Sequence, residues 1–252
     1  MTPPRTKTGT KTGTKTAAKP TRADRPGVAF RGFDRDAMQF WYELAAEMSK
    51  EWFAANKQRY QSVWALPMLT LLRAIARDLA PAYRPFALAE PGVLRIHRDL
   101  RFSRDKTPYK THIAAIIRLA GHPIAEAGNA ALYLHLGLDA EYAGVGCYQF
   151  DAERTARWRR AVVGAPGAAL LRIIANLRRR GYDPGGYEHY ARVPKGFAPD
   201  HPRAELLRCK GLICRFPAIP AGLLHRPELP RWLLAHAKAT APLVIWCRRN
   251  LG

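Results

Sequence analysis

Residues 131–138 read ALYLHLGL, a pattern that indicates a strand at the centre of the fold. Its four leucines alternate with other residues and therefore share one face of an extended chain, while Tyr133 and His135 point to the opposite face. This alternation predicts a β-strand with one face buried in a core. Three more segments have strand patterns, at residues 93–97, 112–120 and 142–150. Because short connections join the predicted strands, we expect an antiparallel sheet rather than parallel strands linked by helices.

Helical patterns flank the predicted sheet on both sides. Before it, apolar side chains recur at helical spacing, as at Phe40 and Leu44, and Ser49 is placed to cap the next helix. After it, Asp151 is placed to cap a further helix. The sequence therefore predicts an α+β fold with N-terminal helices, a central, mostly antiparallel sheet and further helices toward the C-terminus. We expect residues 28–252 to form a single α+β domain, since no linker interrupts them.

The chain is strongly basic, with a formal net charge of +21 over 252 residues. Residues 1–27 hold seven Lys and Arg side chains against Asp24 alone and repeat the string KTGT, which predicts a disordered basic tail. The tail lacks the apolar run of a secretory signal, and no stretch is long and apolar enough for a membrane span. The four cysteines show no C-x-x-C spacing. We therefore expect a cytoplasmic protein with no membrane association.

Such a charge favours a polyanionic partner, either nucleic acid or a phosphorylated small molecule. The alternative is a basic surface that reflects biased composition and binds nothing in particular. Net charge by itself does not separate these two interpretations.

The strongest local signal is the segment RIHRDLRFSRDKTPYKTH at residues 95–112. Guanidinium groups fix the geometry of a bound phosphate or carboxylate, and ammonium and hydroxyl groups add adaptable donors. The segment is therefore predicted to bind an anionic small molecule through Arg95, Arg98, Arg101, Ser103, Lys106, Tyr109 and Lys110. The candidate catalytic residues are Asp99, Asp105 and His135, because carboxylates and imidazoles orient cations and exchange protons.

Two other interpretations of this segment stay open. In one, it joins the tail and the arginines at positions 172 and 178–180 in a nucleic-acid-binding face. In the other, its own salt bridges hold it against the body of a non-catalytic scaffold. A cavity beside the segment favours anion binding, whereas acids paired to the segment's own cations favour the scaffold. Whether the protein is an enzyme, and its oligomeric state, stay open as well.

Several classes of enzyme motif are missing from the sequence. There is no G-x-S-x-G nucleophile motif, no phosphate-binding G-x-x-x-x-G-K-[ST] and no dinucleotide-binding G-x-G-x-x-G. The eight histidines show neither H-x-H nor H-E-x-x-H spacing, so a metal centre could form only from residues far apart in the sequence. We therefore expect no cofactor and no metal.

The charged segment also carries a family resemblance. It fits the run R-x-x-R-D-x-R-F-S-[KR]-D-K-T-P-Y-K-T. Three further matches are EWFAANKQRY at residues 51–60, YLHL at 133–136 and GFAPDHPRAELL at 196–207. With these motifs, the chain resembles the bacterial and fungal family called domain of unknown function 2461, over about residues 33–216. The resemblance implies an α+β fold and no particular reaction.

Overall fold

The computed structural model describes residues 29–101, 105–121 and 129–252. Three helices come first, α1 (Ala37–Glu47), α2 (Lys50–Tyr60) and α3 (Leu66–Leu79). The Ser49 hydroxyl accepts a hydrogen bond of 3.1 Å from the backbone N–H of Trp52 and so caps α2, as predicted. A π-helical turn over Gln61–Ala65 joins α2 directly to α3.

The sheet has six strands among the described residues. In chain order they are β1 (Gly92–Val93), β2 (His112–Arg118), β3 (Ala130–Gly137), β4 (Glu141–Cys147), β5 (Asp183–Gly185) and β6 (Leu212–Arg215). They lie side by side in the order β1-β2-β3-β4-β6-β5, and every neighbouring pair is antiparallel.

The first predicted strand is shorter than its sequence pattern suggests. Beyond Val93, the chain still runs alongside the residues that precede β2. Individual hydrogen bonds and bridges join the two segments there, in place of continuous strand pairing. These include the Lys110 N–H bond to the Ile96 carbonyl and a single bridge between His97 and Tyr109. The described residues on either side of position 103, 99–101 and 105–107, belong to no strand, so this part of the charged segment lies outside the sheet.

The helices of the C-terminal half are α4 (Ala152–Val163), α5 (Ala165–Arg179), α6 (Ala204–Arg208) and α7 (Leu229–Leu251). The Asp151 carboxylate accepts a 2.7 Å hydrogen bond from the Arg154 N–H and caps α4, as predicted. The long α7 packs against β3 and β4, and α3 packs against β2. Together these helices cover one face of the sheet.

The buried core lies between that face and the helices. Leu132, Leu134 and Leu136 of β3 are fully buried, whereas Tyr133 projects from the opposite face and stays partly exposed. The alternation predicted for residues 131–138 is therefore confirmed. The α+β fold is confirmed too, with helices at both ends of the chain and an antiparallel sheet between them.

No single described helix is long and apolar enough to cross a membrane; α4 and α5 reach that length and composition only together, across a bend of 85°. All four cysteines are buried and free of disulfides. The predicted basic tail, residues 1–27, lies outside the described residues.

Candidate functional site

The face of the sheet opposite the core carries polar and aromatic side chains from four of the described strands. Strand register arranges these residues in rows of partners across the sheet. The rows are His112 with Gly137; Ala114 with His135 and Tyr142; Ile116 with Tyr133, Gly144 and Arg215; and Arg118 with Ala130, Gly146 and Ile213. Alternation along each strand places all of these residues on one side.

Glycines keep the middle of this face empty. Gly144 and Gly146 of β4 stand in the two longest rows, where any other residue would project a side chain. Gly146 also has φ +116°, and a Cβ there would lie 2.2 Å from the carbonyl oxygen of Leu212 on β6. Only glycine fits this backbone, so the close approach of β4 to β6 depends on Gly146, and a hollow lies above the two glycines.

A cavity of about 430 Å³ occupies this hollow. Its volume is typical of sites for small metabolites. Four tyrosines line it, Tyr133, Tyr142, Tyr148 and Tyr187. Tyr148 and Tyr187 form its exposed rim, with ring centroids 5.2 Å apart. We call this space the sheet-face cavity.

Two histidines and an aspartate meet at one end of the sheet-face cavity. His135 Nε2 lies 3.0 Å from Asp139 Oδ1, and His112 Nδ1 lies 3.3 Å from Asp139 Oδ2. The two imidazole rings are 4.0 Å apart. Asp139 is in the turn between β3 and β4, and its carboxylate therefore reaches back over the histidines of β2 and β3.

Burial and mutual proximity set the charges of this group. Burial, followed by the neighbouring His135, lowers the pKa of His112 to about 4, so its imidazole is neutral near pH 7. Burial would raise the pKa of Asp139, but the hydrogen bond from His135 and the two imidazoles outweigh it and hold the pKa below its usual range. Burial also raises the pKa of Tyr133, whose phenol stays protonated and lies 3.4 Å from His135 Nδ1.

Two arginines supply positive charge to the same cavity. The Arg215 guanidinium lies 4.8 Å from the centre of the Tyr142 ring and 5.6 Å from that of Tyr187. The Nε atom of Arg118 is buried and has no hydrogen-bond partner within the described residues. Burial lowers the pKa of Arg118, although a guanidinium keeps its proton in proteins.

The acids of the predicted anion-binding loop pair with the loop's own cations. Asp99 lies 2.7 Å from Arg101 and 3.5 Å from Arg95, and these contacts hold the pKa of its carboxyl well below the usual range. Asp105 accepts hydrogen bonds from the backbone and hydroxyl of Thr107, which lower its pKa, and it lies 3.3 Å from Arg98.

The remaining predicted ligand residues of the loop have mostly internal partners. Lys106 Nζ donates to the Leu100 carbonyl at 2.9 Å, and Lys110 Nζ donates to the Arg95 carbonyl at 3.3 Å. Tyr109 is buried, and its ring packs 4.4 Å from the ring of Phe53. Ser103 lies outside the described residues.

A second, more open cavity of about 420 Å³ borders the charged segment. It lies between that segment and helices α2 and α3, and Arg95 and Lys57 line it together with apolar side chains. Among the predicted ligand residues that the structure describes, Arg95 is the one that lines either cavity. The contacts are those expected for an internally paired loop, and its ligand-binding role stays a prediction.

The structure places His135 in the lining of the sheet-face cavity. Sequence reasoning missed its companions there, His112, Asp139, Arg118 and Arg215. One signal was available, because the period of two in β2 places His112 and Arg118 on the same face, opposite the buried Ile113 and Ile117. The nucleic-acid interpretation rests partly on the arginines of α5, and Arg172, Arg178 and Arg179 are exposed there.

Comparison with known proteins confirms the family resemblance seen in the sequence. A family model described as "Conserved hypothetical protein (DUF2461)" matches residues 36–246. No curated protein and no solved structure matches the chain.

Proposed function

The chain belongs to the DUF2461 family, whose description names no activity. From the geometry we propose that the protein binds a small anionic molecule with a flat ring in its sheet-face cavity. Arg118 and Arg215 bind the phosphate or carboxylate group, and the tyrosines contact the ring. The proposed ligand is anionic, as expected from the sequence. The residues proposed to bind it are on the sheet rather than in the charged loop.

One observation carries this proposal: the cavity holds two arginines that have no carboxylate partner among the described residues. A buried guanidinium N–H that bonds to nothing costs free energy, about 1–3 kcal/mol for a typical polar group. An anion in the cavity removes that cost, because it offers Arg118 Nε both a hydrogen bond and an opposite charge.

The positions of the two arginines suit one shared ligand. Arg118 is on β2 and Arg215 on β6, with β3 and β4 between them. Three strand spacings of about 4.8 Å separate their strands, roughly 14 Å in all. Two arginine side chains directed inward can span much of that distance and leave room for a small molecule between them.

The aromatic lining supports a flat ligand. Tyr142 stacks on His135, with ring centroids 4.8 Å apart and an interplanar angle of 15°. Tyr148 and Tyr187 stand at the rim, each about half exposed. Aromatic faces exposed to a cavity stabilise stacked rings, so a phosphorylated or carboxylated ring compound fits this lining better than inorganic phosphate does.

The proposal also includes a location in the cell and a limit on the chemistry. A cytoplasmic location is supported by the four free, buried cysteines, which suit a reducing compartment. The proposed function is ligand binding and includes no reaction. Asp99, Asp105 and His135 stay candidates for catalysis.

Thermal unfolding of the full chain tests the proposal. The panel contains inorganic phosphate, nucleoside phosphates, aromatic carboxylates and short RNA, each at low and moderate salt. A ligand at 100 times its Kd adds about 2.7 kcal/mol to the free energy of unfolding. For a chain of this size that corresponds to a rise in Tm of roughly 5–10 °C.

Matched variants assign the effect to a site. Arg118→Met and Arg215→Met should each abolish the rise in Tm, whereas Arg172→Met, with the same loss of charge on an exposed helix face, should keep it. Stabilisation by RNA alone that disappears at moderate salt and depends on Arg172 would instead support the nucleic-acid-binding module. No stabilisation by any ligand would contradict the proposal.

A further inference from the structure

The side chains of His112, His135 and Asp139 offer three donor atoms that converge. Two are imidazole nitrogens, one is a carboxylate oxygen, and all lie within 4.8 Å of one another. Both nitrogens face the same carboxylate, His135 Nε2 at 3.0 Å and His112 Nδ1 at 3.3 Å. No metal was expected from the sequence because the histidines lack a recognised spacing, and the pairing of β2 with β3 brings His112 beside His135.

The distances between these atoms suit a coordination shell. Metal bonds to histidine nitrogen and carboxylate oxygen are about 2.0–2.2 Å long. Donor atoms at the corners of a tetrahedron with such bonds lie roughly 3.4 Å apart. The two nitrogen-to-oxygen distances are close to that value, but they end on different oxygens of Asp139 and the three donors lie up to 4.8 Å apart, so an ion would draw the side chains closer together as it binds.

The set of donors also matches a known class of metal site. Two histidines and one carboxylate hold catalytic zinc and non-haem iron, in sites that leave coordination positions open for water or substrate. His112 and His135 both line the sheet-face cavity, so the open positions face that cavity. We infer that His112, His135 and Asp139 bind a divalent first-row transition metal ion at this end of the cavity.

Contacts behind His135 hold its ring in place for this role. The Tyr133 hydroxyl lies 3.4 Å from His135 Nδ1, the ring nitrogen that faces away from Asp139. Tyr142 stacks against the same imidazole. A hydrogen bond to the second ring nitrogen is typical of metal-binding histidines, since it fixes the tautomer and the ring orientation. His135 is buried at 5% exposure, while Asp139 is accessible enough to admit an ion.

The competing interpretation is a hydrogen-bonded cluster in which Asp139 simply joins two structural histidines. Both interpretations explain the short distances, but only the metal site predicts saturable binding of an ion. The inference does not depend on the proposed anion, because metal binding can be measured without any organic ligand. A protein that binds no metal could therefore still bind the proposed anion, and the reverse also holds.

The test uses the purified full chain, treated with a chelator and desalted. Co²⁺ is titrated and followed by its visible absorption, and Zn²⁺ binding is measured by calorimetry and by displacement of Co²⁺. The expected result is one Co²⁺ ion bound per chain. Its visible absorption should have the intensity typical of four- or five-coordinate Co²⁺. Absence of saturable binding by the folded wild type would overturn the inference.

Substitutions locate the ion. Asp139→Asn keeps the shape of an exposed side chain and should weaken Co²⁺ and Zn²⁺ binding by about 100-fold or more, because second-shell changes alone cost 10–100-fold. His112→Ala should do the same. The controls Asp200→Asn and His189→Ala change exposed residues that do not line the cavity and should bind like the wild type. Because His135→Ala removes a buried side chain and can unfold the protein, Asp139→Asn is decisive, and unchanged affinity in that variant would refute the site.

Discussion

His112 and Gly137 face each other across β2 and β3 at a distance that only glycine permits. A Cβ built on Gly137 would lie 2.2 Å from the Cβ of His112 and 2.6 Å from its Cα. The bare backbone of Gly137 thus makes room for the imidazole that reaches Asp139. The strand pairing and the histidine cluster depend on the same absence of a side chain.

Gly137→Ala should therefore destabilise the protein and displace His112. Overpacking of a tight contact costs about 1–3 kcal/mol, which denaturant unfolding would detect. Co²⁺ affinity should fall in the protein that remains folded. Gly185→Ala is the matched control, since a Cβ on that strand glycine meets nothing within 4 Å. Equal stability of the two variants would show that β2 and β3 separate easily at Gly137.

Arg203 closes the C-terminal end of α4, and its removal should destabilise the fold. Its guanidinium donates to the carbonyl oxygens of Val162 at 2.6 Å and Gly164 at 2.9 Å. Hydrogen bonds from a charged donor contribute about 1.5–3 kcal/mol, so Arg203→Met should lower Tm by several degrees. Arg192→Met, at an exposed position, should leave Tm nearly unchanged. If the two variants have the same Tm, the contacts of Arg203 contribute little to stability.

The charged loop should contribute little to stability. Arg101 and Asp99 form an ion pair on the surface, where water screens both charges. Arg101→Ala and Lys106→Ala should therefore melt like the wild type. They should also keep the stabilisation by small anions that Arg118→Met loses. Loss of anion binding in the loop variants, with Arg118→Met unaffected, would return the site to the loop.

The stability of the protein should depend on pH partly through His236 of α7. Burial lowers the pKa of His236, whose Nδ1 lies 2.7 Å from the Tyr182 hydroxyl. The unfolded chain, with a histidine pKa of about 6.5, then takes up the proton first. The contribution of His236 is thus complete above about pH 6.5 and is lost as the pH falls through the lower pKa of the folded state.

Comparison with a non-titrating variant isolates this effect. The free energy of unfolding of His236→Asn should fall less steeply below about pH 6.5 than that of the wild type. His112 titrates in the same direction in both proteins, so its contribution cancels in the difference. His189→Asn, at an exposed position, should follow the wild-type curve. Parallel curves for His236→Asn and the wild type would contradict the prediction.

Local patterns predicted the elements of the fold well, because each depends on neighbours in sequence. The leucines at 132, 134 and 136 defined the buried face of β3, and Ser49 and Asp151 marked the starts of α2 and α4. The extent of the strand after Val93 was less predictable. After Val93, the chain makes separate contacts with residues 108–110 instead of the continuous hydrogen bonding of a strand. Those contacts join residues that are distant in sequence.

The candidate site was predictable only in part, for a related reason. Charge density drew attention to residues 95–112, yet charges close in sequence are also the ones best placed to pair with each other. His135 was identified as facing away from the core. Its partners His112 and Asp139 come from another strand and a turn, and no spacing rule connects them.

The sequence alone determined the α+β class, the buried face of the sheet, two helix caps and the family. These follow from periodicity and local hydrogen bonding, which act over a few residues. Tertiary structure decided which polar groups meet. Strand register sets His112 beside His135, the glycines of β4 leave a cavity above the sheet, and pairing across the loop occupies the charges of Asp99 and Asp105. The first two outcomes depend on residues far apart in the chain, which only the folded sheet brings within contact distance, whereas Asp99 and Asp105 pair with residues close to them in sequence.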